Sequence, residues 1–335
     1  MKLFAAIDIG SCEVEMKIFQ ITSGKGIKEI DCVCHRMELG KDVYRDGRIG
    51  VEMTDELCRV LNDFVRIMKG YRVDDWRVCA TSAVREAGNQ LVFLDRVKRH
   101  TGLEVEVLSN ASQRFMDYKS IASRENEFNR IIQKGTAIVD VGGGSIQISL
   151  FDKDRLVASQ NMKIGNLRLR ERMMNEGVSL KHYETLLTEV VKNEFLSYKK
   201  LYLKDRVISN LIVVGDHIGD AVHKNVMTRA DFLNFYDDMI YRSDEDAAGR
   251  CEVPEDVISV LRPSLVVYRC FLEAADVENI WMPGLHLTDG MAYEYAQQNR
   301  LLKLGHDFDE DILAAARNAA KRYQCSKSHI KVWED

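Results

Sequence analysis

The stretch that decides the fold is Ala137-Ile-Val-Asp-Val-Gly-Gly-Gly-Ser145-Ile-Gln147. Its apolar, β-branched run predicts a buried strand that ends at Asp140. Three glycines follow, and because they carry no Cβ, their turn lets backbone N–H groups approach a phosphate oxygen closely. We therefore predict a phosphate-binding loop formed by Gly142, Gly143, Gly144 and Ser145.

A shorter version of this pattern lies near the N-terminus, at Ala5-Ala-Ile-Asp8-Ile-Gly10-Ser11. Each copy places an aspartate at the predicted end of a strand and continues into an alternating strand, which predicts a β-hairpin. Either loop alone is equally consistent with a tight turn that binds nothing. Together they predict two halves that face one ligand, with Gly10, Ser11 and Cys12 in the first loop, and Asp8 and Asp140 as ligands of a hydrated divalent cation.

Composition limits the class of protein. A chain of 335 residues predicts two domains, and a net charge of -5 without a long Lys/Arg block argues against non-specific nucleic-acid binding. No apolar stretch approaches the roughly 20 residues that cross a bilayer, and Met1 leads directly into a predicted strand, so we expect a cytoplasmic protein without membrane contact. The 8 cysteines form no C-x-x-C pair, which is typical of reduced thiols.

Periodicity predicts the order of elements in the first part of the chain. Alternation over residues 4–38 predicts three strands that end at a Leu39-Gly40 turn, and Thr54 is the predicted N-cap of a helix to Lys69. Further predicted elements are a strand at 76–80, a helix at 89–100, a strand at 104–108 and a helix at 110–123.

The same order begins again at Ala137. It comprises strands at 137–140, 146–151, 156–162 and 211–214, and helices from 167, at 181–201, 231–239, 256–275 with a break at Pro263, and 289–298. This repeat predicts an α/β protein of two actin-like (ribonuclease H-like) domains with a cleft between them. We predict domains at 1–125 and 126–304, with helix 289–299 able to pack back on the first, and a helical segment at 305–335, the start of a C-terminal helical region that we expect to be truncated.

These residues resemble the exopolyphosphatase and guanosine pentaphosphate phosphatase family. The matching motifs are Ala6-Ile-Asp-Ile-Gly-Ser11, Leu39-Gly40, Ala80-Thr-Ser-Ala-Val-Arg85 with Glu86-Ala87 and Asn89, Thr101-Gly-Leu103, Asp140-Val-Gly-Gly-Gly-Ser145, Gly165 and Asp289-Gly290. The Thr-Ser-Ala-x-Arg segment also fits the chemistry, because Arg85 and Asn89, one helical turn apart, would place a guanidinium and an amide over the cleft for phosphate. The alternative for Arg85 is a surface ion pair with Glu86 or Asp95.

The resemblance implies hydrolysis of a terminal phosphoanhydride of inorganic polyphosphate or of a guanosine penta- or tetraphosphate, with Mg²⁺ and a glutamate that activates water. The chain departs from the family at both acidic positions. The catalytic glutamate falls on Gln113, and a second acidic residue falls on Gln147. Cys12, Phe115 and Gly215-Asp216-His217 also differ from the family pattern.

An amide cannot accept a proton at neutral pH, and a positioned base contributes about 10²- to 10⁴-fold. Asp117, Glu13, Asp216 and His217 are the candidates to replace the glutamate, with Asp117 and Glu13 expected to be solvated. The cluster Lys163, Arg168, Arg170 and Arg172 would serve a polyanion or form a solvated helix face.

Two functions therefore stay open. The first is a phosphoanhydride hydrolase of the family type, and the second is a catalytically impaired sensor of polyphosphate, nucleotide or alarmone. A kinase or ATPase of the wider superfamily is disfavoured, because the segment 213–217 lacks the glycines that support an adenosine. The sequence also leaves open whether the chain forms a homodimer.

Overall fold

A computed structural model describes residues 1–174, 180–204, 206–215, 217–302 and 306–326. The first lobe contains β1 (Lys2–Ile9), β2 (Glu13–Thr22), β3 (Gly26–Arg36), α1 (Leu39–Asp46), α2 (Val51–Tyr71), β4 (Asp75–Ala80), α3 (Ser82–Glu86), α4 (Gln90–Thr101), β5 (Val105–Val107), α5 (Asn110–Ala122) and α6 (Glu125–Ile131).

The second lobe contains β6 (Thr136–Val141), β7 (Ile146–Asp152), β8 (Arg155–Met162), α7 (Asn166–Met174), α8 (Leu180–Tyr198) with a π-helical turn at Lys199–Leu203, β9 (Asn210–Val214), α9 (Ile218–Val222), β10 (Val226–Thr228), α10 (Arg229–Met239), α11 (Asp244–Cys251), α12 (Glu255–Ala274) and β11 (Asn279–Trp281). The helices α13 (Leu287–Gln298) and α14 (Phe308–Arg322) follow.

The two sheets repeat one topology, as the sequence predicts. The first has the order β3-β2-β1-β4-β5, and the second has the order β10-β11-β9-β6-β7-β8. In each, an antiparallel meander of three strands is extended by two parallel strands beside the first strand of the meander. The second sheet has one more strand, β10, which pairs antiparallel with β11 at the edge. This confirms the predicted α/β fold of two similar lobes with a cleft between them.

Each lobe has its own apolar core, and α13 belongs to the first lobe in space. Met291 and Ala296 of α13 pack with Phe4 of β1 in a buried cluster. Gly290 lies so close to α5 that a Cβ would overlap the backbone of Met116. The chain therefore crosses back to the first lobe, and residues at the start of α13 reach the cleft.

Three local predictions are wrong. Leu39-Gly40 is not a turn but the start of α1, since Gly40 is needed for close packing: a Cβ there would lie 2.8 Å from Leu167 Cδ2. The helix predicted from Thr54 begins at Val51, and Thr54 Oγ1 donates to the carbonyl of Gly50, the actual N-cap.

The predicted break at Pro263 is also wrong, because α12 continues through it. An internal proline costs about 3 kcal/mol. Burial of α12 in the core of the second lobe offsets that cost, since residues on both sides of the proline, such as Leu261 and Leu265, are almost fully buried.

The C-terminal helix α14 packs on β8 through a buried carboxylate. Asp311 is fully buried and accepts hydrogen bonds from the backbone N–H of Leu156 at 3.0 Å and from His306 Nε2 at 2.6 Å. The predicted domain boundaries and the expected truncation stay predictions. Across the described ranges, no helix combines the length and the apolar character needed to cross a bilayer.

Candidate active site in the cleft between the lobes

A cavity of about 110 Å³ lies between the lobes, beside the two aspartates predicted as cation ligands. Asp8 is in β1 and Asp140 is in β6, and each strand runs one residue past its aspartate, to Ile9 and Val141. The aspartates are therefore not the last strand residues, as the sequence suggested. The structure nevertheless brings both of them to one cavity, together with the loops that follow them.

The two predicted phosphate loops touch each other across this cavity. Both are tight turns, closed by Gly10 N–H to the carbonyl of Glu13 at 2.9 Å and by Gly142 N–H to the carbonyl of Ser145 at 3.0 Å. A Cβ on Gly143 would lie 2.7 Å from Ser11 Cβ. The glycine is therefore required for the observed contact, and the lobes are closed on one another.

Three hydroxyl groups meet where the loops touch. Ser11 Oγ lies 2.8 Å from Tyr44 Oη and 2.9 Å from Ser82 Oγ, and a Cβ on Gly144 would overlap the tyrosine hydroxyl. Our sequence reasoning did not name Tyr44 or Ser82 as site residues. Ser82 lies inside the Ala80–Arg85 motif, which is a signal for it, whereas Tyr44 lies in α1, a helix for which the sequence predicts only a turn at Leu39-Gly40.

Asp140 accepts hydrogen bonds from Gln113 and Gln147, the two glutamines that are predicted to stand at acidic positions of the family. Gln113 Nε2 donates to Asp140 Oδ2 at 3.3 Å, and Gln147 Nε2 donates to the same oxygen at 3.2 Å. Arg85 lies behind Gln113, where Nη1 donates to Gln113 Oε1 at 3.4 Å and to the carbonyl of Leu108 at 2.6 Å. Neither amide can act as a base, so another group must do so if the chain hydrolyses its ligand.

Asp117 is buried in this site rather than solvated, so the expectation of a solvated side chain is wrong. It is 5% exposed and lines the cavity one helical turn beyond Gln113. Among the residues that the structure describes, Asp117 Oδ2 and Asp8 Oδ1 are buried oxygens without a hydrogen-bond partner. Burial raises the pKa of both carboxyl groups well above the usual value, and neighbouring carboxylates raise each pKa further.

Glu13 also lines the cavity instead of facing solvent. Its carboxylate lies 3.5 Å from His217 Nε2 and accepts from Cys34 Sγ at 3.3 Å. Burial alone would raise the pKa of Glu13, but the hydrogen bond and charge of His217 outweigh burial and hold the pKa at about 2. His217 is thus brought to the site, whereas Asp216 lies outside the described residues.

Glu15 and His286 complete the wall, and our sequence reasoning named neither. Glu15 Oε2 lies 2.7 Å from His286 Nδ1, and Glu15 Oε1 accepts from the hydroxyl of Thr288. Burial opposes ionisation of both groups, yet their mutual attraction outweighs it, so the pKa of Glu15 is lowered and the pKa of His286 is raised. The alternation Glu13-Val-Glu15 in a buried strand was the available signal.

The cavity as a whole is acidic. Five carboxylates and two imidazoles line it, and no lysine or arginine of the described ranges does: Asp8, Glu13, Glu15, Asp117, Asp140, His217 and His286. Cys12 also lines it, and burial raises the pKa of its thiol to about 12, so it is a neutral group at physiological pH. A polyanion can enter such a cavity only together with cations.

Two predicted phosphate ligands lie elsewhere or at the edge. The structure does not bring Asn89 to the cavity, since its side-chain amide pairs with the backbone of Ile49, accepting at 3.0 Å and donating at 2.9 Å. Arg85 does not line the cavity itself and contacts one lining residue, Gln113. Its predicted alternative, a surface ion pair, is not what the structure shows either.

Two arginines of the predicted basic cluster, Arg168 and Arg170 of α7, link the two lobes. Arg170 forms a bidentate pair with Glu38 at 2.7 and 2.6 Å, and Arg168 contacts Glu86 at 2.9 Å and stacks on the ring of Tyr44. Both glutamates belong to the first lobe. These two arginines therefore neither form a solvated helix face nor line the cavity, and instead connect the lobes.

Two α/β lobes of similar topology that close an acidic cavity between paired glycine loops define the class of protein as a two-lobed α/β protein with its candidate site in the cleft. The family model of the Ppx/GppA phosphatase family matches residues 17–298, and the chain belongs to this family. A solved exopolyphosphatase from Cytophaga hutchinsonii has a similar fold, with a TM-score of 0.77 and 17% identity over 91% of this chain and 100% of that one.

Two curated relatives extend the comparison. The chain is 27% identical to exopolyphosphatase 2 of Mycobacterium tuberculosis over 180 residues, 51% of this chain and 54% of that protein. It is 20% identical to the guanosine-5'-triphosphate,3'-diphosphate pyrophosphatase of Photobacterium profundum over 338 residues, 98% of this chain and 64% of that protein. The chain thus spans less than two thirds of the length of either relative.

Proposed function

We propose that the chain hydrolyses the terminal phosphoanhydride of inorganic polyphosphate or of guanosine penta- or tetraphosphate. The observation that carries this proposal is the contact of two glycine loops across one cavity, each loop following a strand whose second-last residue is an aspartate. A terminal phosphate held there would meet hydroxyls from the first lobe and loop amides from both. The names of the two curated relatives support the choice of substrate class.

Mg²⁺ fits the residues present. The buried Oδ1 of Asp8 has no partner among the described residues, and Mg²⁺ is commonly bound by one or two carboxylates together with water and phosphate oxygens. Asp8 and Asp140 would hold the ion, which when bound neutralises charge on the phosphate. Opening of the lobes must precede entry, because the loops are in contact.

The chain's own residues supply the remaining steps. Gln113 Oε1, held by Arg85, would orient the attacking water, and Asp117 would accept its proton because it is the buried carboxylate one turn further along the same helix. This assignment moves the base from the family position to a neighbouring turn of α5.

The test is phosphate release from polyphosphate and from guanosine pentaphosphate with Mg²⁺. We expect release by the native chain, a loss of about 10²- to 10⁴-fold in Asp117→Asn, and no change in Asp63→Asn, whose carboxylate is exposed on α2. Undiminished release by Asp117→Asn would show that Asp117 is not the base.

A second candidate, the impaired sensor, is favoured by one observation: both amides donate to Asp140, where the family has acids. The double variant Gln113→Glu, Gln147→Glu distinguishes the hydrolase from the sensor. Release by the native chain that Arg85→Ala abolishes contradicts the sensor, and release only by the double variant contradicts the hydrolase. Tight binding without release in either protein favours the sensor. The cytoplasmic location and the homodimer stay predictions.

A further inference from the structure

The wall of the cavity formed by β2 and the start of α13 carries groups that the proposed reaction does not use. Glu13 and Glu15 alternate along β2 and therefore point to the same face of the sheet. His286 directly precedes α13 and contacts Glu15. We propose that Glu13, Glu15 and His286 bind a divalent transition-metal ion, in a site beside but separate from the aspartate pair.

The geometry fits one ion. One ligand atom from each of the three residues lies within 4.8 Å of the others. Two ligands of the same ion are at most about 4.4 Å apart, because metal–oxygen and metal–nitrogen distances are about 2.0–2.2 Å. Small side-chain rotations are therefore sufficient to bring the three atoms into one coordination sphere.

A buried oxygen without a partner is the second and independent reason. Asp117, which is 5% exposed and lines the same cavity, has a buried Oδ2 without a hydrogen-bond partner among the described residues. Asp8 faces Glu15 directly across the β1–β2 hairpin. Lys17, the nearest lysine, is 4.0 Å from Glu15 and is closer to Asp289, at 2.9 Å. A cation bound beside these residues would supply the partner that the buried oxygen of Asp117 lacks.

The nitrogen ligand determines the class of ion. Mg²⁺ prefers oxygen ligands alone, whereas an imidazole with carboxylates suits Mn²⁺, Zn²⁺ and related ions. His217, 3.5 Å from Glu13 on the second lobe, pairs with that carboxylate and is not one of the three proposed ligands. We therefore expect selectivity for a transition metal over Mg²⁺.

The experiment uses the full chain, freed of metal by a chelator, with MnCl₂ as the probe. Binding is measured by the decrease of the electron paramagnetic resonance signal of free Mn²⁺. A nitrogen ligand is detected by the coupling of its nuclear spin to the bound ion. We expect a bound Mn²⁺ ion that shows nitrogen coupling. Both the binding and the coupling should persist in Asp140→Asn, because Asp140 belongs to the separate aspartate pair. Glu13→Gln and His286→Gln should each weaken binding at least tenfold, and His286→Gln should also remove the coupling.

His100→Gln, an exposed histidine of α4, is the matched control and should bind Mn²⁺ as the native chain does. Glu13 is chosen for substitution because it is more exposed than Glu15, so that Glu13→Gln disturbs folding less. Thermal unfolding in the presence of chelator identifies any variant that does not fold. Absence of binding, equal affinity in Glu13→Gln and His286→Gln, or nitrogen coupling that survives His286→Gln would each overturn the proposal. Because the measurement is of binding, failure to hydrolyse any phosphate leaves it intact.

Discussion

Breaking the ion pairs between the lobes should open the cleft. Arg170 is almost fully buried and holds Glu38 of the opposite lobe through two hydrogen bonds of 2.7 and 2.6 Å. Arg168 makes a second, half-buried pair with Glu86 at 2.9 Å. We therefore choose the double variant Glu38→Gln, Glu86→Gln, which removes both charges and nearly preserves shape.

The magnitude follows from burial and from what each arginine keeps. A hydrogen bond to a charged group contributes about 1.5–3 kcal/mol. Glutamine retains one acceptor, and Arg170 retains Glu171 at 2.9 Å, so we assign about 1–2 kcal/mol to the loss at Glu38. The more exposed Glu86 pair contributes about 1 kcal/mol or less. The two losses together amount to about 1–3 kcal/mol, which shifts the ratio of closed to open molecules by about 5- to 150-fold.

The assay is a distance distribution between spin labels on the two lobes. Leu91 of α4 and Leu196 of α8 are exposed and suit labelling as cysteines. The exposed native cysteines Cys32, Cys34 and Cys325 are first replaced by serine. We expect a single short distance in the native background and an added longer population in the double variant.

Glu171→Gln is the matched control, because Glu171 also pairs with Arg170 but lies on the same helix. It should lower stability without changing the distance. If the double variant gives the native distribution, or if Glu171→Gln opens the cleft equally, the reasoning that these pairs hold the lobes together is refuted.

Two stability predictions test the packing around the site. Gly290→Ala should lower the free energy of unfolding by about 1–3 kcal/mol in a denaturant titration, since its Cβ would overlap the backbone of Met116. The control is Gly249→Ala, inside α11 with open space around it, which should be neutral or stabilising in the same titration. Asn89→Ala should lower the free energy of unfolding by about 1–3 kcal/mol, because it removes two hydrogen bonds to Ile49, and it should leave the affinity for polyphosphate unchanged. Weaker binding of polyphosphate at native stability would instead place Asn89 in the site.

The features that sequence reasoning predicted correctly are those set by local pattern. The strand-Asp-Gly hairpins at Asp8 and Asp140 show their alternation and their glycines within a few residues, so their repeat also predicted the two similar lobes. The predictions at Pro263 and Gly40 are wrong because propensity describes isolated segments. Tertiary burial keeps α12 helical through Pro263, and close packing of α1 on the loops makes Gly40 part of a helix instead of a turn.

The acidic wall could not be predicted, because its parts are far apart in sequence. His286 reaches Glu15 only because α13 crosses back to the first lobe, which no local pattern announces. Asp117 lies on a helix of weak amphipathicity, so periodicity does not show which side faces the cleft. Only the structure separates a cavity-lining carboxylate from a solvated one here.

The internal repeat of the fold relates Gln147 to a carboxylate of the first lobe. Gln147 faces Asp140 across the β6–β7 hairpin, and Glu15 faces Asp8 across the β1–β2 hairpin in the equivalent register. The second lobe thus carries an amide at the position where the first lobe carries a carboxylate. Glu15 lines the cavity, whereas Gln147 is not a lining residue and donates to Asp140 Oδ2 at 3.2 Å. A cation in the cavity is therefore expected nearer to the carboxylate of the first lobe than to the amide of the second.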